Sequence, residues 1–384
     1  MNFIYLDYNS TTPLRAEVRD AMMPFLTEKF GNPAAKNCAY GRQAAIHLEE
    51  ARKRVSSVFN TAPEELIFTS GATESLNMAI KGIAQNYGAH KRHILASPTE
   101  HKAVLATLEF LKNYGFTVEM LPVDTSGLPD LEYLDRKIHS ETLMVCIMHA
   151  NNETGVIHPV EEIKAIMKSK DCFWISDTCA SAGKMHVDFN ELGADYCALS
   201  AHKFGGPKGV GLLYVRKNKG KPSLPPLFQG GGQEFNLRSG TVNLAGAVGL
   251  ASAVVLAISE LEDSHKHLTQ LRNQLEFDLQ NLGAQIIGKQ NLRLSNTTFF
   301  RIPDVPASKT IKKLTGISVS TGSACHSGNN EPSHVALALG YSKKEAQECI
   351  RISMGHETTI KEVGQVARLL CSKQNNQEPT VTLL

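Results

Sequence analysis

Residues 194–211 read ADYCALSAHKFGGPKGVG, and this stretch carries most of what the sequence predicts about the fold. A short apolar strand ends in Ser-Ala-His-Lys and continues into a glycine-rich turn. Lys203, at the carboxyl end of that strand, can point into the crevice where open α/β sheets bind ligands. Buried there, its ammonium loses a proton more easily and becomes a Schiff-base nucleophile. The alternative is an ordinary surface lysine after a strand.

Outward from this stretch, short apolar strands alternate with helical patterns, which is typical of a mainly parallel sheet flanked by helices. The predicted strands cover 66–69, 93–96, 117–121, 142–148, 172–176 and 195–199. The predicted helices between them cover 73–86, 102–114, 130–139 and 160–169. A buried helix is predicted over 244–261, and a charged amphipathic helix follows it over 260–282.

Beyond residue 260 the pattern changes to shorter pieces, which predicts a smaller α+β domain. Its strands are expected near 297–301 and 349–353, and its helices near 306–314, 332–339 and 359–372. We expect a large domain over 15–258 and a small domain formed by 1–14 together with 259–372. Residues 373–384 are expected to form a flexible tail.

Composition narrows the class of protein. The 384 residues are 42% hydrophobic and 20% charged, as in an ordinary globular protein. The formal net charge of +2 gives no electrostatic argument for a nucleic acid or a membrane surface as partner. The chain has no apolar run of about 18 residues and does not open with a signal peptide. We therefore expect a cytoplasmic location.

The eight cysteines predict free thiols rather than a metal site. None forms a CxxC pair, and no cluster of cysteine and histidine has the spacing of metal ligands. Most lie in apolar patterns and are expected to be buried. Cys325 differs, because residues 321–332 read TGSACHSGNNEP and predict an exposed loop. His326 or His334 can favour its thiolate there, although an incidental loop cysteine is the alternative.

Two further segments carry candidate chemistry. Residues 70–75, SGATES, follow a strand and open a helix, so free amides and hydroxyls can bind a phosphate there. The alternative is a helix cap formed by Ser70 or Thr73. Asp177 ends another apolar strand and can pair with a protonated pyridine nitrogen. The alternative is an N-cap for the next helix.

Taken together, these segments resemble the NifS/IscS-like cysteine desulfurases of the class-V aminotransferase family. The likeness runs from YLDY at 5–8 and FGNP at 30–33 to IRIS at 350–353. GSAC at 322–325 followed by EPSH at 331–334 is typical of the branch with a long catalytic loop. The resemblance implies a fold type I transferase, with a large α/β domain and a smaller α+β domain. It also implies pyridoxal 5'-phosphate as cofactor, L-cysteine as substrate, a homodimer and a sulfur-acceptor protein.

The resemblance also assigns roles. Among the catalytic residues, Lys203 would bond covalently to the cofactor, His101 would stack on its ring, and Cys325 would receive the sulfur as a persulfide. Arg351 would bind the substrate carboxylate, a task suited to its fork of donors. The other cofactor-binding residues would be Ala72, Thr73, Asn152, Asp177, Ser200, His202 and Thr241, the last one from the other subunit.

Three positions depart from the family pattern. Ala180 replaces a glutamine that would touch the phenolic oxygen of the cofactor, Phe235 replaces an arginine, and His356 stands where an arginine is common. Alternative functions are another class-V reaction, such as selenocysteine cleavage or transamination, and a non-catalytic scaffold of the same fold. The acceptor pathway stays open between iron–sulfur cluster assembly, tRNA thiolation and DNA phosphorothioation.

Overall fold

The structure, a computed structural model, describes residues 3–217, 224–321 and 331–371, apart from the side chain of Cys371. Within these ranges the strands are β1 (Ile4–Tyr5), β2 (Leu66–Thr69), β3 (His93–Ala96), β4 (Thr117–Met120), β5 (Thr142–Cys146), β6 (Phe173–Asp177), β7 (Tyr196–Ser200), β8 (Gly211–Val215), β9 (Gln285–Ile286), β10 (Thr297–Arg301), β11 (Ile317–Ser318) and β12 (Cys349–Ser353). The α-helices are α1 (Ala16–Thr27), α2 (Ala39–Val58), α3 (Ala72–Tyr87), α4 (Lys102–Lys112), α5 (Leu131–Lys137), α6 (Val160–Met167), α7 (Phe189–Leu192), α8 (Leu244–Ser259), α9 (Leu261–Asn281), α10 (Ala307–Lys313), α11 (His334–Ala338), α12 (Lys343–Ala346) and α13 (Ile360–Cys371).

A seven-stranded sheet organises the larger part of the chain, in the order β2-β8-β7-β6-β5-β3-β4. The run from β7 to β4 is parallel, whereas β8 pairs antiparallel with both β2 and β7. The mainly parallel α/β architecture expected from the sequence is therefore confirmed. Helices cover both faces of the sheet, which is why its central strands are continuous apolar runs.

Alternate side chains of the central strands point into two hydrophobic cores. Cys197 and Leu199 of β7 pack into the core that contains residues of α1, α2 and α8. Tyr196 and Ala198 of the same strand pack into the opposite core, with residues of α3 and α4. This alternation with a period of two residues holds the sheet between two helical layers.

The C-terminal part has its own sheet, in the order β12-β10-β9, while β1 pairs in parallel with β11. Leucines on one face of α9 pack against Phe300, Ile350, Ile352 and the apolar face of α13. The N-terminal residues Ile4 and Leu6 belong to the same core. The division into a large domain over 15–258 and a small domain over 1–14 and 259–372 stays a prediction.

Most predicted helices and strands are confirmed within one to three residues at each end. The sequence patterns missed β8, because a glycine-rich turn precedes it, and they missed α1 and α2. The buried face of α2 consists largely of small residues such as Gly41, Ala44 and Ala51, so its hydrophobic periodicity is weak.

The most apolar helix, α8, lies inside the protein. It packs against α1 and α2, and it is bent by 69° relative to α9. No single helix among the described residues is long and apolar enough to cross a membrane.

Candidate functional site

A cavity of about 490 Å³ opens near the carboxyl ends of β3, β5, β6 and β7, the edge where open α/β sheets bind ligands. The structure brings most of the sequence-predicted site residues to its wall. Those that line it are Ala72, Thr73, His101, Asn152, Asp177, Ser200, His202, Lys203 and Arg351.

Lys203 lies in the wall of the cavity and not on the open surface. It ends the 3-10 helix Ala201–Lys203 that follows β7, and its Nζ donates to the backbone oxygens of Asn9 at 2.6 Å and Ser10 at 2.9 Å. Burial, above all other influences, lowers the pKa of its amine. A lowered pKa makes the neutral amine, which is the nucleophilic form, more accessible.

The start of α3 provides an anion cradle. Its first residue, Ala72, follows Gly71, and no side chain caps the helix, so neither Ser70 nor Thr73 forms the alternative cap. Gly71 has a φ of +152°, and a β-carbon at this position would lie 3.5 Å from the Ser200 hydroxyl oxygen. The uncapped amides and this hydroxyl therefore face a space that suits a phosphate.

His202 is the second polar group on this side of the cavity. Its Nδ1 lies 3.0 Å from the Thr11 hydroxyl, and burial lowers the pKa of the imidazole to about 4. At neutral pH the ring is therefore uncharged and can still donate one hydrogen bond to an anion.

Asp177 approaches the cavity from the end of β6, and His101 approaches it from the start of α4. Asp177 is the last residue of β6 and is buried, and one carboxylate oxygen accepts from the Cys179 amide at 2.9 Å. No α-helix begins there, so the capping alternative for Asp177 is wrong. His101 precedes α4, and its Nδ1 accepts from the Ala103 amide at 3.1 Å, which fixes the ring at the helix start.

Arg351 comes from the smaller sheet and is fully buried. Its Nη2 lies 2.6 Å from a carboxylate oxygen of Asp7, and its Nη1 donates to the backbone oxygen of Asn152 at 3.1 Å. Its Nε has no hydrogen-bond partner among the described residues. A buried guanidinium with an unused donor at the wall of a cavity suits a carboxylate ligand.

Thr241 is the predicted cofactor residue that does not line the cavity. It is exposed, in a segment held to the start of α3 by the Arg238–Glu74 ion pair at 2.8 Å. Glu74 also accepts from the Ser70 amide at 2.6 Å. This network therefore ties the exposed segment to the anion cradle.

Cys325 and residues 322–330 lie outside the described residues. The described residues on both sides of this segment are attached to the cavity wall. Ser320 exchanges two backbone hydrogen bonds with Arg351, of 2.7 and 3.1 Å. After the segment, Ser333 donates to the buried carboxylate of Glu153, and His334 contacts the backbone oxygen of Glu100 at 2.9 Å.

Sequence reasoning missed Lys184, which lies in the cavity wall. Its Nζ donates to the Asn9 side-chain oxygen and to the Ala180 backbone oxygen, both at 3.3 Å. Burial and then the positive charge of Lys203 lower the pKa of Lys184 to about 7. The only signal in the sequence is that Lys184 is the one formally charged residue between Asp177 and Asp188.

Most of the cysteines that the structure describes are buried, as expected. Those at 146, 172, 197 and 349 are buried and free, Cys179 is partly exposed, and Cys38 is exposed. Cys38 uses its sulfur to accept from the Gly41 amide at 3.4 Å at the start of α2. Cys179 and Ala180 line the cavity. Ala180, one of the three positions that depart from the family pattern, therefore faces the site.

The residues present fit a pyridoxal phosphate. Such a cofactor needs an amine for its aldehyde, an anion cradle for its phosphate and an acid for its ring nitrogen. Lys203, the start of α3 and Asp177 provide these groups around one cavity. Lys203, Asp177, Ser200 and His202 would hold the cofactor, with His101 beside its ring.

Known proteins resemble this chain over nearly its whole length. The family model for aminotransferase class-V matches residues 4–366. The cysteine desulfurase IscS of Dictyoglomus turgidum is 41% identical over 371 residues, which span 96% of this chain and 93% of the relative. A solved NifS-like protein superimposes with a TM-score of 0.89 at 40% identity, covering 96% of this chain and 98% of that chain.

A second solved structure, SspA in complex with cysteine, has a TM-score of 0.81 at 33% identity and covers 91% of this chain and 98% of that chain. The match with the family model and the identity over nearly the whole length together show the family. The chain belongs to the class-V aminotransferases and, within them, to the IscS- and NifS-like cysteine desulfurases, which depend on pyridoxal phosphate.

Proposed function

We propose that the protein is a cysteine desulfurase that converts L-cysteine to L-alanine and holds the released sulfur as a persulfide on Cys325. One observation carries the proposal: Lys203, Asp177, His101 and Arg351 come from separate parts of the chain and line one cavity. The similarity to cysteine desulfurases over nearly the full length of the chain supports the same activity.

Each charged residue of the cavity would have its own role in the reaction. Arg351 would bind the substrate carboxylate through its unused donors, which orients the amino acid. Lys203 would move protons at the substrate carbons, since its amine has a lowered pKa. When bound, the cofactor supplies an electron sink for the negative charge that develops on the substrate. Asp177 would keep the ring nitrogen protonated.

Sulfur transfer would then proceed at the Cys325 thiolate. The thiolate attacks the substrate sulfur, a sulfur–sulfur bond forms, and the carbon–sulfur bond breaks. The bonding electron pair stays with the carbon, which takes a proton and becomes the methyl group of L-alanine. A thiol of an acceptor protein later takes the outer sulfur of the persulfide.

The experiment measures L-alanine released from L-cysteine by the purified protein with a reductant. Cys325→Ser should retain the cofactor and lose alanine formation, because a serine hydroxyl cannot hold a persulfide. Cys38→Ser is the matched control, since it removes another exposed thiol and keeps an acceptor for the Gly41 amide. Equal alanine output from all three proteins would refute the role of Cys325.

The same assay separates the alternatives. A keto acid in place of L-alanine would identify a transaminase, and tight cofactor binding with no product would favour a scaffold. Selenocysteine as a second substrate tests for selenocysteine cleavage.

Assembly and pathway belong to the proposal as well. We expect a homodimer in the cytoplasm, in which Thr241 reaches the cofactor phosphate of the neighbouring subunit. The exposed position of Thr241 supports this expectation. The sulfur acceptor would be a protein thiol, and iron–sulfur cluster assembly, tRNA thiolation and DNA phosphorothioation stay the candidate pathways.

A further inference from the structure

The guanidinium of Arg351 is only partly used by the protein. It carries five N–H donors in a fixed plane. Asp7 accepts from Nη2 at 2.6 Å and the Asn152 backbone oxygen accepts from Nη1 at 3.1 Å. Nε has no partner among the described residues, and the Arg351 side chain is 2% exposed. The donors that no described residue uses are therefore available to a ligand that enters the cavity.

The position of Asp7 is fixed from three sides. Its neighbours in the chain bond to two strands, because the Leu6 amide donates to the Ser318 oxygen at 2.9 Å and the Tyr8 amide donates to the Ser353 oxygen at 3.1 Å. The Tyr5 hydroxyl donates to the Asp7 backbone oxygen at 3.0 Å. A carboxylate on such a rigid segment can hold a guanidinium in one orientation.

We infer that Asp7 is a positioning residue for substrate recognition: it orients Arg351 so that the unused donors face the carboxylate of the amino-acid substrate. The inference rests on the proposed function. Asp7 does not line the cavity itself, so it acts through Arg351 and does not touch the ligand. Asp7 and the Asn152 oxygen take two of the five donors, and a carboxylate can be bound by two of those that remain.

The expected effect falls on binding rather than on chemistry. Loss of one charge-assisted hydrogen bond that orients Arg351 should raise KM for L-cysteine by roughly 10- to 100-fold in Asp7→Ala. The value of kcat should stay within about threefold, because a correctly bound substrate meets the same reacting groups. Asp7→Asn keeps the acceptor oxygen and should lie between the wild type and Asp7→Ala.

The test compares L-cysteine with cysteamine, which has the same amine and thiol but no carboxylate. Binding of each to the cofactor-loaded protein is followed by the change in cofactor absorbance. Asp7→Ala should weaken the binding of L-cysteine at least tenfold and leave the binding of cysteamine unchanged. Asp7→Asn has the same shape as the native side chain and keeps the test available if Asp7→Ala does not fold.

Glu276→Gln is the matched control, because Glu276 forms another buried pair at 2.7 Å, with Arg293, away from the cavity. Glu276→Gln should not change the ratio of the affinities for L-cysteine and cysteamine. Equal weakening of L-cysteine and cysteamine in the Asp7 variants would overturn the inference, as would no weakening of either. Tighter L-cysteine binding would also overturn it, since Asp7 would then compete with the substrate. A wild type that binds L-cysteine but releases no L-alanine would refute the proposed function and leave this comparison intact.

Discussion

Glu153 offers the sharpest test of the electrostatics around the cavity. Its carboxyl group is buried next to Asn152 and accepts from the Ser333 hydroxyl. Burial raises its pKa from 4.5 to about 7, against the lowering effects of the Ser333 hydrogen bond and then of the Arg351 charge. The folded protein therefore holds a proton on Glu153 at mildly acidic pH, where the unfolded chain has released it.

The sign of the effect on stability follows from this shift. A raised pKa in the folded state stabilises the protein fully below pH 4.5 and loses that contribution as pH rises through about 7. Between pH 5 and pH 8 the loss amounts to about 2.5 kcal/mol in the free energy of unfolding. Glu153→Gln resembles the protonated form and should not show this loss.

The assay is urea unfolding at several pH values, followed by the fluorescence of Trp174. This residue is the single tryptophan of the chain and is fully buried in β6. The difference between the variant and the wild type isolates Glu153, because other titrating groups are common to both proteins. Between pH 5 and pH 8, the free energy of unfolding of the variant should rise by about 2.5 kcal/mol relative to that of the wild type.

Glu276→Gln is the control for loss of one buried carboxylate. It breaks the Arg293 pair and should lower the free energy of unfolding rather than raise it. Parallel pH profiles for Glu153→Gln and the wild type would show that the Glu153 carboxyl group does not titrate in this range.

Lys203→Ala should abolish the covalent bond to the cofactor, and an unchanged Schiff-base absorbance band would contradict the role of Lys203. Glu74→Gln should raise the dissociation constant of the cofactor about tenfold in equilibrium dialysis, since it weakens the Arg238 pair that holds the start of α3. Unchanged affinity would show that this pair does not support the cradle. Glu234→Ala should cost about 3–5 kcal/mol in urea unfolding, because it removes the buried carboxylate partner of Arg52 and leaves only the half-exposed Glu49 to pair with it. A loss under about 1 kcal/mol would show that Arg52 is hydrated or paired elsewhere.

Local patterns predicted the strands that lead to the site. The residues of β6 and β7 form continuous buried runs, and each run ends in a residue with chemistry, Asp177 for β6 and the Ser200 to Lys203 segment for β7. Because the two strands are parallel neighbours, their carboxyl ends meet at one edge. The roles assigned to these residues stay predictions.

The same patterns could not predict α2 or the orientation of β8. Small residues pack α2 closely against α8 without a strong apolar stripe, so packing rather than periodicity decides its place. The antiparallel pairing of β8 depends on the turn after Lys203, where Gly205 and Gly209 have positive φ values. Glycine permits this backbone, but it does not specify the direction in which the chain continues.

The sequence by itself determined the strand and helix alternation, the residues at the strand ends and, through the quoted motifs, the family. These features depend on neighbours in the chain, so periodicity and residue type express them. Only the tertiary structure decided that Asp7 pairs with Arg351, 344 residues away, and that Ser333 donates to Glu153, 180 residues away. The physical reason is that such pairs form where separate segments are packed together, and each partner alone has the pattern of an ordinary polar residue.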